Sequence, residues 1–217
     1  MGEDLYQAPV HNASQLSVDL DPQSYRLQLL QPFNAWCPGS TTSMSILTKV
    51  KGKCTSDHIS PVGPRYKYRV HLENISNNML LADENAWLPS ESRMLGHTTH
   101  PLTREISLIH EVARDLRDQG VKWCIIGDWN YGEGSSREHA ALEPRYLGGV
   151  VIIARSFARI HETNLKMQGM LPLVFADPQD YDRVREGDCI TLVGVEEGEL
   201  GPGIQVVMWM KSRNGGE

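Results

Sequence analysis

Gly127-Asp128-Trp129-Asn130-Tyr131-Gly132-Glu133-Gly134-Ser135-Ser136-Arg137-Glu138-His139-Ala140 joins two stretches of opposite character. Ahead of it, Val121-Lys122-Trp123-Cys124-Ile125-Ile126 is a short apolar run ending at a glycine, the pattern of a strand buried on both faces of a parallel sheet. After it, Arg137 to Leu147 is rich in helix formers: Glu138, Ala140, Ala141, Leu142, Glu143 and Leu147. Strand, glycine turn and helix in succession predict an α/β domain. Gly132 and Gly134 let the backbone take positive φ or approach a ligand closely. Ser135 or Ser136 is expected to cap the helix through its side-chain oxygen. The first N–H groups of a helix lack intrahelical partners and face whatever lies in front. Arg137 adds a planar positive fork suited to a carboxylate. The stretch thus predicts an anion site containing two hydroxyls; a capped helix after a glycine turn is the alternative without a ligand. It is not a phosphate loop, because no Gly-Lys-Ser/Thr follows. It is not a dinucleotide fingerprint, because Arg137 stands where the third glycine is needed.

Outward from this segment the same alternation continues. Val150 to Ala154 reads as a second buried strand, Ala158 to Gln168 as a helix stopped by Gly169, and Leu171 to Ala176 as a third strand with a proline near its start. Asp177 to Tyr181 begins a turn or short helix, and 189–193 and 204–209 read as further strands. Upstream, Arg104 to Gln119 predicts an amphipathic helix whose Ile106, Ile109, Val112, Ala113 and Leu116 form the core stripe. Residues 81–103 read as a loop, Tyr66 to Glu73 as a helix and Ile46 to Lys51 as a strand. Leu27 to Phe33 is an apolar piece expected to pack on the domain. Residues 1–24, polar and without a period, read as an arm or former linker preceding one domain over 25–217.

The bulk numbers are those of an ordinary globular chain: 217 residues, 40% hydrophobic and 22% charged. A net charge of −6 argues against nonspecific binding to nucleic acid or membrane. No apolar run approaches the ~20 residues of a membrane span. Met1-Gly2-Glu3-Asp4 shows neither an apolar signal core nor an Arg-rich presequence. The cysteines, Cys37, Cys54, Cys124 and Cys189, are scattered without a C-x-x-C, so no metal site is expected on this chain. They fit a reducing, intracellular compartment, the cytoplasm or the mitochondrial matrix.

Three long segments carry a resemblance. Tyr131 to Arg145 is similar to the active-site segment of the aconitase family, in its mobile C-terminal swivel domain, and so are Ser156-Phe157-Ala158-Arg159-Ile160-His161-Glu162-Thr163-Asn164-Leu165-Lys166 and Gly52-Lys53-Cys54-Thr55-Ser56-Asp57-His58-Ile59-Ser60. The resemblance runs from about Asp4 to Leu192, fades across 81–103, and is to the mitochondrial-type, fungal-like branch. It implies an aconitase-type swivelling β/β/α domain. It also implies a hydroxylated or unsaturated di- or tricarboxylic acid as substrate.

By position in these motifs, the resemblance gives Ser135 the part of the proton-abstracting base and Ser136 that of a substrate-binding hydroxyl. Arg137 and Arg69 become carboxylate clamps, and Asp57 the carboxylate that organises the site. Val70 stands where the family usually has glycine. The family's leaving hydroxyl goes onto a [4Fe-4S] cluster acting as a Lewis acid. Its ligands lie in domains outside this segment, so any cluster is expected from a separate, cluster-bearing large subunit, as in the isopropylmalate isomerase branch. Three functions stay open: a hydro-lyase module working with such a partner or in a homo-oligomer; a stand-alone, cluster-free enzyme turned to dehydration, isomerisation, decarboxylation or cyclisation of an acidic metabolite; and a non-catalytic carboxylate- or RNA-binding remnant.

Overall fold

The computed structural model describes residues 5–14, 16–195 and 200–212; the other residues of the expected arm and domain lie outside the described residues. In chain order come β1 (Met44–Lys49), α1 (Ser56–Ile59), α2 (Leu72–Ile75), β2 (His97–Thr99), β3 (Ile106–Leu108), α3 (Ile109–Asp118) and β4 (Trp123–Gly127). Then follow α4 (His139–Tyr146), β5 (Gly149–Ala154), α5 (Arg159–Met167), β6 (Leu171–Val174), α6 (Asp180–Arg183), β7 (Asp188–Val193) and β8 (Val207–Ser212).

The expected α/β architecture is present. Six strands form one sheet in the order β6-β5-β4-β1-β7-β8, with β1, β4, β5 and β6 parallel and β7 and β8 antiparallel. The chain steps from β1 to β4 to β5 to β6 always in one direction, so right-handed crossovers place α3, α4 and α5 on the same face. Side chains of β4 alternate between two cores. Trp123 and Ile125 join Val112, Leu116, Ala140, Ala141 and Leu165 of those helices, while Cys124 and Ile126 join Phe175, Tyr181 and Val184 on the other face. A strand apolar on both faces is the pattern the opening segment predicts, and all five residues of β4 are buried. Cys124 is the small core residue that its strand position implies. At the sheet edge Val174 is 57% exposed, and Pro172 sits in β6, where a missing N–H is tolerated.

Four expectations need correction. The helix expected over 104–119 starts only at Ile109, because residues 106–108 form β3 and pair with β2, inside the segment taken for a loop; Ile106 is 51% exposed and outside the core stripe. The helix expected over 66–73 is two pieces. A 3-10 turn, Pro64–Tyr68, gives way at Arg69, and α2 begins only after His71, whose ring nitrogen accepts from the Asn74 N–H at 3.3 Å. Between the pieces Val70 pairs with Leu27 as an isolated parallel bridge. That bridge also explains the third correction. The 27–33 piece is held through its main chain, with the Gln28 N–H on the Val70 carbonyl, so Leu27, Leu29 and Leu30 stay about half exposed rather than packing inward. Fourth, neither serine caps α4. The helix starts at His139 with Glu138 as an N-cap that makes no side-chain bond, because the Arg137 N–H turns back onto the Ser135 carbonyl at 2.7 Å and holds the serines in a bend ahead of it.

Candidate active site

Three loops leave the carboxyl ends of neighbouring strands β1, β4 and β5, where open α/β sheets bind their ligands. They are laced together by main-chain bonds. The Gly132 N–H reaches the Cys54 carbonyl at 2.8 Å, and the Ser56 N–H reaches the Glu133 carbonyl at 2.7 Å. Tyr131 donates to the Ser156 carbonyl at 2.9 Å and accepts from the Ala158 N–H at 3.0 Å. Gly132 has φ +81, and its Cα lies so close to the buried His161 ring that a Cβ there would meet it at 2.2 Å. Gly134, at φ +113, turns the chain outward to Ser135. Both glycines are required by the turn.

Arg137 is the best-anchored charged group here. Its side chain is 16% exposed, pairs with the Asp57 carboxylate, and donates to the Ser60 carbonyl at 2.8 Å. Asp57 stands in the first turn of α1 and does not cap it. Thr55 is the cap, in a reciprocal capping box with His58, whose ring also contacts the Lys53 carbonyl at 3.0 Å. His58 is thereby occupied in shaping the loop. Behind Arg137, Glu143 of α4 is fully buried; one oxygen accepts from the Ser60 hydroxyl at 2.7 Å and the other has no partner. Burial pushes its carboxyl well above the usual range, against the pull of Ser60 and Arg137. Burial thus favours the protonated form of Glu143, which supports the segment that Arg137 grips.

Ser135, Ser136 and Arg137 form one wall of an open cleft of about 530 Å³, and Ala158, Arg159, Ile160, His161 and Asn164 of the α5 end form the other. Among the described residues the Ser135 and Ser136 hydroxyls make no hydrogen bond, and no carboxylate lines the cleft. Arg69 is not on either wall. It is exposed, stacks its guanidinium 5.3 Å from the Tyr66 ring centre, and lines a second hollow with Arg26, Lys67 and Val70. Its link to the first site is through main chain: the Arg69 carbonyl is 2.8 Å from the His139 ring at the start of α4. Four of the five residues singled out by sequence are thus joined around Arg137, and the fifth is a neighbour facing away.

Sequence reasoning assigned no part to Arg159, His161 or Asn164, although their segment was recognised as characteristic. The available signal was topological: consecutive parallel strands bring the loops that follow them to the same sheet end. It likewise gave Asp83 no role. This carboxyl is 1% exposed beneath Cys54, and burial raises its pKa to about 8, with the Cys54 and Thr48 side chains pulling the other way.

The chain's own donors do not suit an iron–sulfur cluster. Cys54 and Cys124 are buried on opposite faces of the sheet, with burial pushing both thiols up, Cys37 is exposed, and Cys189 lies in β7. Among the described residues no three His, Cys, Asp or Glu side chains are placed to hold a metal ion.

Comparison with known proteins bears on these features. Residues 44–178 match the family model of the aconitase C-terminal domain. The chain is 52% identical over 215 residues to a probable mitochondrial aconitate hydratase of Dictyostelium discoideum, covering 99% of this chain and 27% of that protein. It is 52% identical over 214 residues to the mitochondrial aconitate hydratase of Saccharomyces cerevisiae, again covering 99% and 27%. These matches extend past Leu192 and include 81–103 within their span, more than the sequence motifs alone reach. A solved 3-isopropylmalate dehydratase from Methanocaldococcus jannaschii overlays with a TM-score of 0.44 at 21% identity, covering 69% of this chain and 68% of that one. The chain spans about a quarter of the length of the curated relatives it matches. With the family model covering the four parallel strands, the glycine turn and both cleft walls, the chain belongs to the aconitase C-terminal domain family.

Proposed function

We propose that this chain is the base-and-clamp half of a hydro-lyase acting on a hydroxylated or unsaturated di- or tricarboxylic acid, and that a separate cluster-bearing polypeptide supplies the other half. The observation that carries this reading is the cleft wall: two unpartnered hydroxyls beside an anchored arginine, with no carboxylate in the lining. Ser135 takes the proton from the carbon next to a substrate carboxylate. A serine is a weak base, and cationic surroundings favour its alkoxide. Ser136 donates to a carboxylate oxygen of the substrate. Arg137 neutralises the charge that develops on that carboxylate as the proton leaves; a fixed donor that needs no reorganisation is the effective kind. Asp57 holds the Arg137 fork in orientation. Arg69 joins only by leaving the Tyr66 ring and turning toward His139, so in this reading it engages with the ligand. That the relatives are mitochondrial aconitate hydratases supports a mitochondrial setting for this chemistry.

The test is complementation. A fragment of the S. cerevisiae aconitate hydratase lacking the quarter that matches this chain is mixed with the purified chain, and hydration of cis-aconitate is followed. The wild-type chain restores turnover, and Ser135→Ala lowers it by a factor of about 10²–10⁴, the range of a lost general base, with an unchanged thermal transition. Undiminished turnover by Ser135→Ala would remove the proton-abstraction role. Turnover of cis-aconitate by the purified chain alone would point to the cluster-free enzyme instead.

A further inference from the structure

The wall facing Ser135 has chemistry of its own. α5 begins at the cleft, with Ala158 as an N-cap that makes no side-chain bond. The N–H groups of Arg159, Ile160 and His161 precede the first helical bond, which runs from the Glu162 N–H to the Ala158 carbonyl at 3.0 Å. The helix has nine residues, long enough for its dipole to favour an anion at that end.

Three side chains on the same wall point to a ligand independently of the helix end. His161 is 3% exposed on the cleft floor, against Gly132, and its buried Nε2 has no partner. Burial lowers its pKa to about 4, so the ring is neutral in ordinary buffers and adds no charge to the cleft floor. The Arg159 and Asn164 side chains make no hydrogen bond or ion pair among the described residues. Most other arginines of the domain are tied up: Arg114 and Arg117 on Glu73, Arg155 on Asp128 and Asp182, Arg183 on Asp180. On a chain of net charge −6, this cleft carries an arginine on each wall and no acid in its lining, which favours an anion. Its volume of about 530 Å³ is within the ~300–1,000 Å³ usual for small-molecule sites.

We infer that Arg159 and the first turn of α5 form a second carboxylate subsite, so that this cleft selects acids with two separated carboxylates over monocarboxylates. Asn164 supplies a neutral donor and acceptor between the two for a hydroxyl. The inference rests on the acid-binding reading given above and adds a specificity residue to it.

Calorimetry on the purified chain tests this with four probes: tricarballylate, succinate, butyrate and pyrophosphate. Wild type binds tricarballylate and succinate at least about tenfold more tightly than butyrate. Arg159→Gln brings the two polycarboxylates to the butyrate level and leaves butyrate unchanged. Arg137→Gln weakens all three carboxylates together. If Arg159→Gln leaves the polycarboxylates unaffected, or weakens butyrate equally, the second subsite is overturned while the acid-binding reading stands. If wild type binds none of the carboxylates, both fall. Tighter binding of pyrophosphate than of tricarballylate overturns the ligand class. Hydrogen exchange of the Arg159 to His161 amides gives a second readout: slowing on adding tricarballylate supports the subsite, and no change counts against it. Arg159 is exposed, so its substitution leaves the fold intact.

Discussion

Arg137 and Arg69 carry the same guanidinium into the same neighbourhood, and the fold treats them oppositely. Arg137 grows from a turn bonded to the Cys54 carbonyl on one side and followed by α4 on the other, and its side chain is 16% exposed with two acceptors. Arg69 closes a 3-10 turn at the domain edge, exposed, with an aromatic ring as its side-chain contact. A side chain is fixed in space to the degree that the backbone beneath it is buried and bonded. The wall that the proposed function makes catalytic is therefore preformed around Arg137, and in that proposal Arg69 arrives later.

The hardest blow to that contrast falls on Gly132. An alanine there places a Cβ 2.2 Å from the His161 ring and holds an L-residue at φ +81. Backbone strain and overpacking together are expected to cost about 2–5 kcal/mol. Chemical denaturation of Gly132→Ala measures it. A loss below about 0.5 kcal/mol would mean that the turn yields easily, and the claim of a preformed wall would break.

A pH-dependent effect sharpens the same side of the comparison. Asp83 lies beneath Cys54, whose carbonyl holds the turn, and burial raises its pKa from 3.8 to about 8. Between those values the folded chain keeps the proton and the unfolded chain releases it. Stability is thus fully present below about pH 4 and is lost as pH rises toward about 8, on the order of 1 kcal/mol per pH unit at most. Asp83→Asn removes that contribution. Urea titrations of the two proteins at several pH values should show their stability difference widening from pH 4 to pH 8 in favour of the variant. A constant difference would mean that Asp83 is hydrated in solution and the layer under the turn is not dry.

What was legible in the sequence follows the same division. Trp123 to Gly127, Gly149 to Ala154 and the stripe of Ile109, Val112, Ala113 and Leu116 are buried elements whose apolar periods are set by local geometry, and they were read within a few residues. The break at Arg69 was not, because it depends on Val70 pairing with Leu27, 43 positions upstream and outside any local window. β3 was absorbed into the helix after it for a similar reason, its partner β2 lying in a stretch with little pattern of its own. In the site, the motif named Ser135, Ser136, Arg137 and Asp57 because they sit on ordered, near-literal segments. It is silent on which wall of the cleft the two serines and Arg137 form, since that is settled by the convergence of β4 and β5.

The smallest effects test the two arginines directly. Arg137→Gln removes the donor from the Ser60 carbonyl and the counter-charge from Asp57. The Asp57 side chain is 59% exposed, so water largely replaces that charge, and most of the loss comes from the carbonyl left beside the buried Glu143. A destabilisation of about 1–2 kcal/mol is expected. Arg69→Gln breaks an exposed stacking contact and should stay within about 0.5 kcal/mol. Thermal denaturation of the two variants under one set of conditions decides. Equal losses would show that Arg69 is as firmly seated as Arg137. Its turn toward His139 on ligand binding would then need a larger rearrangement than a side-chain swing.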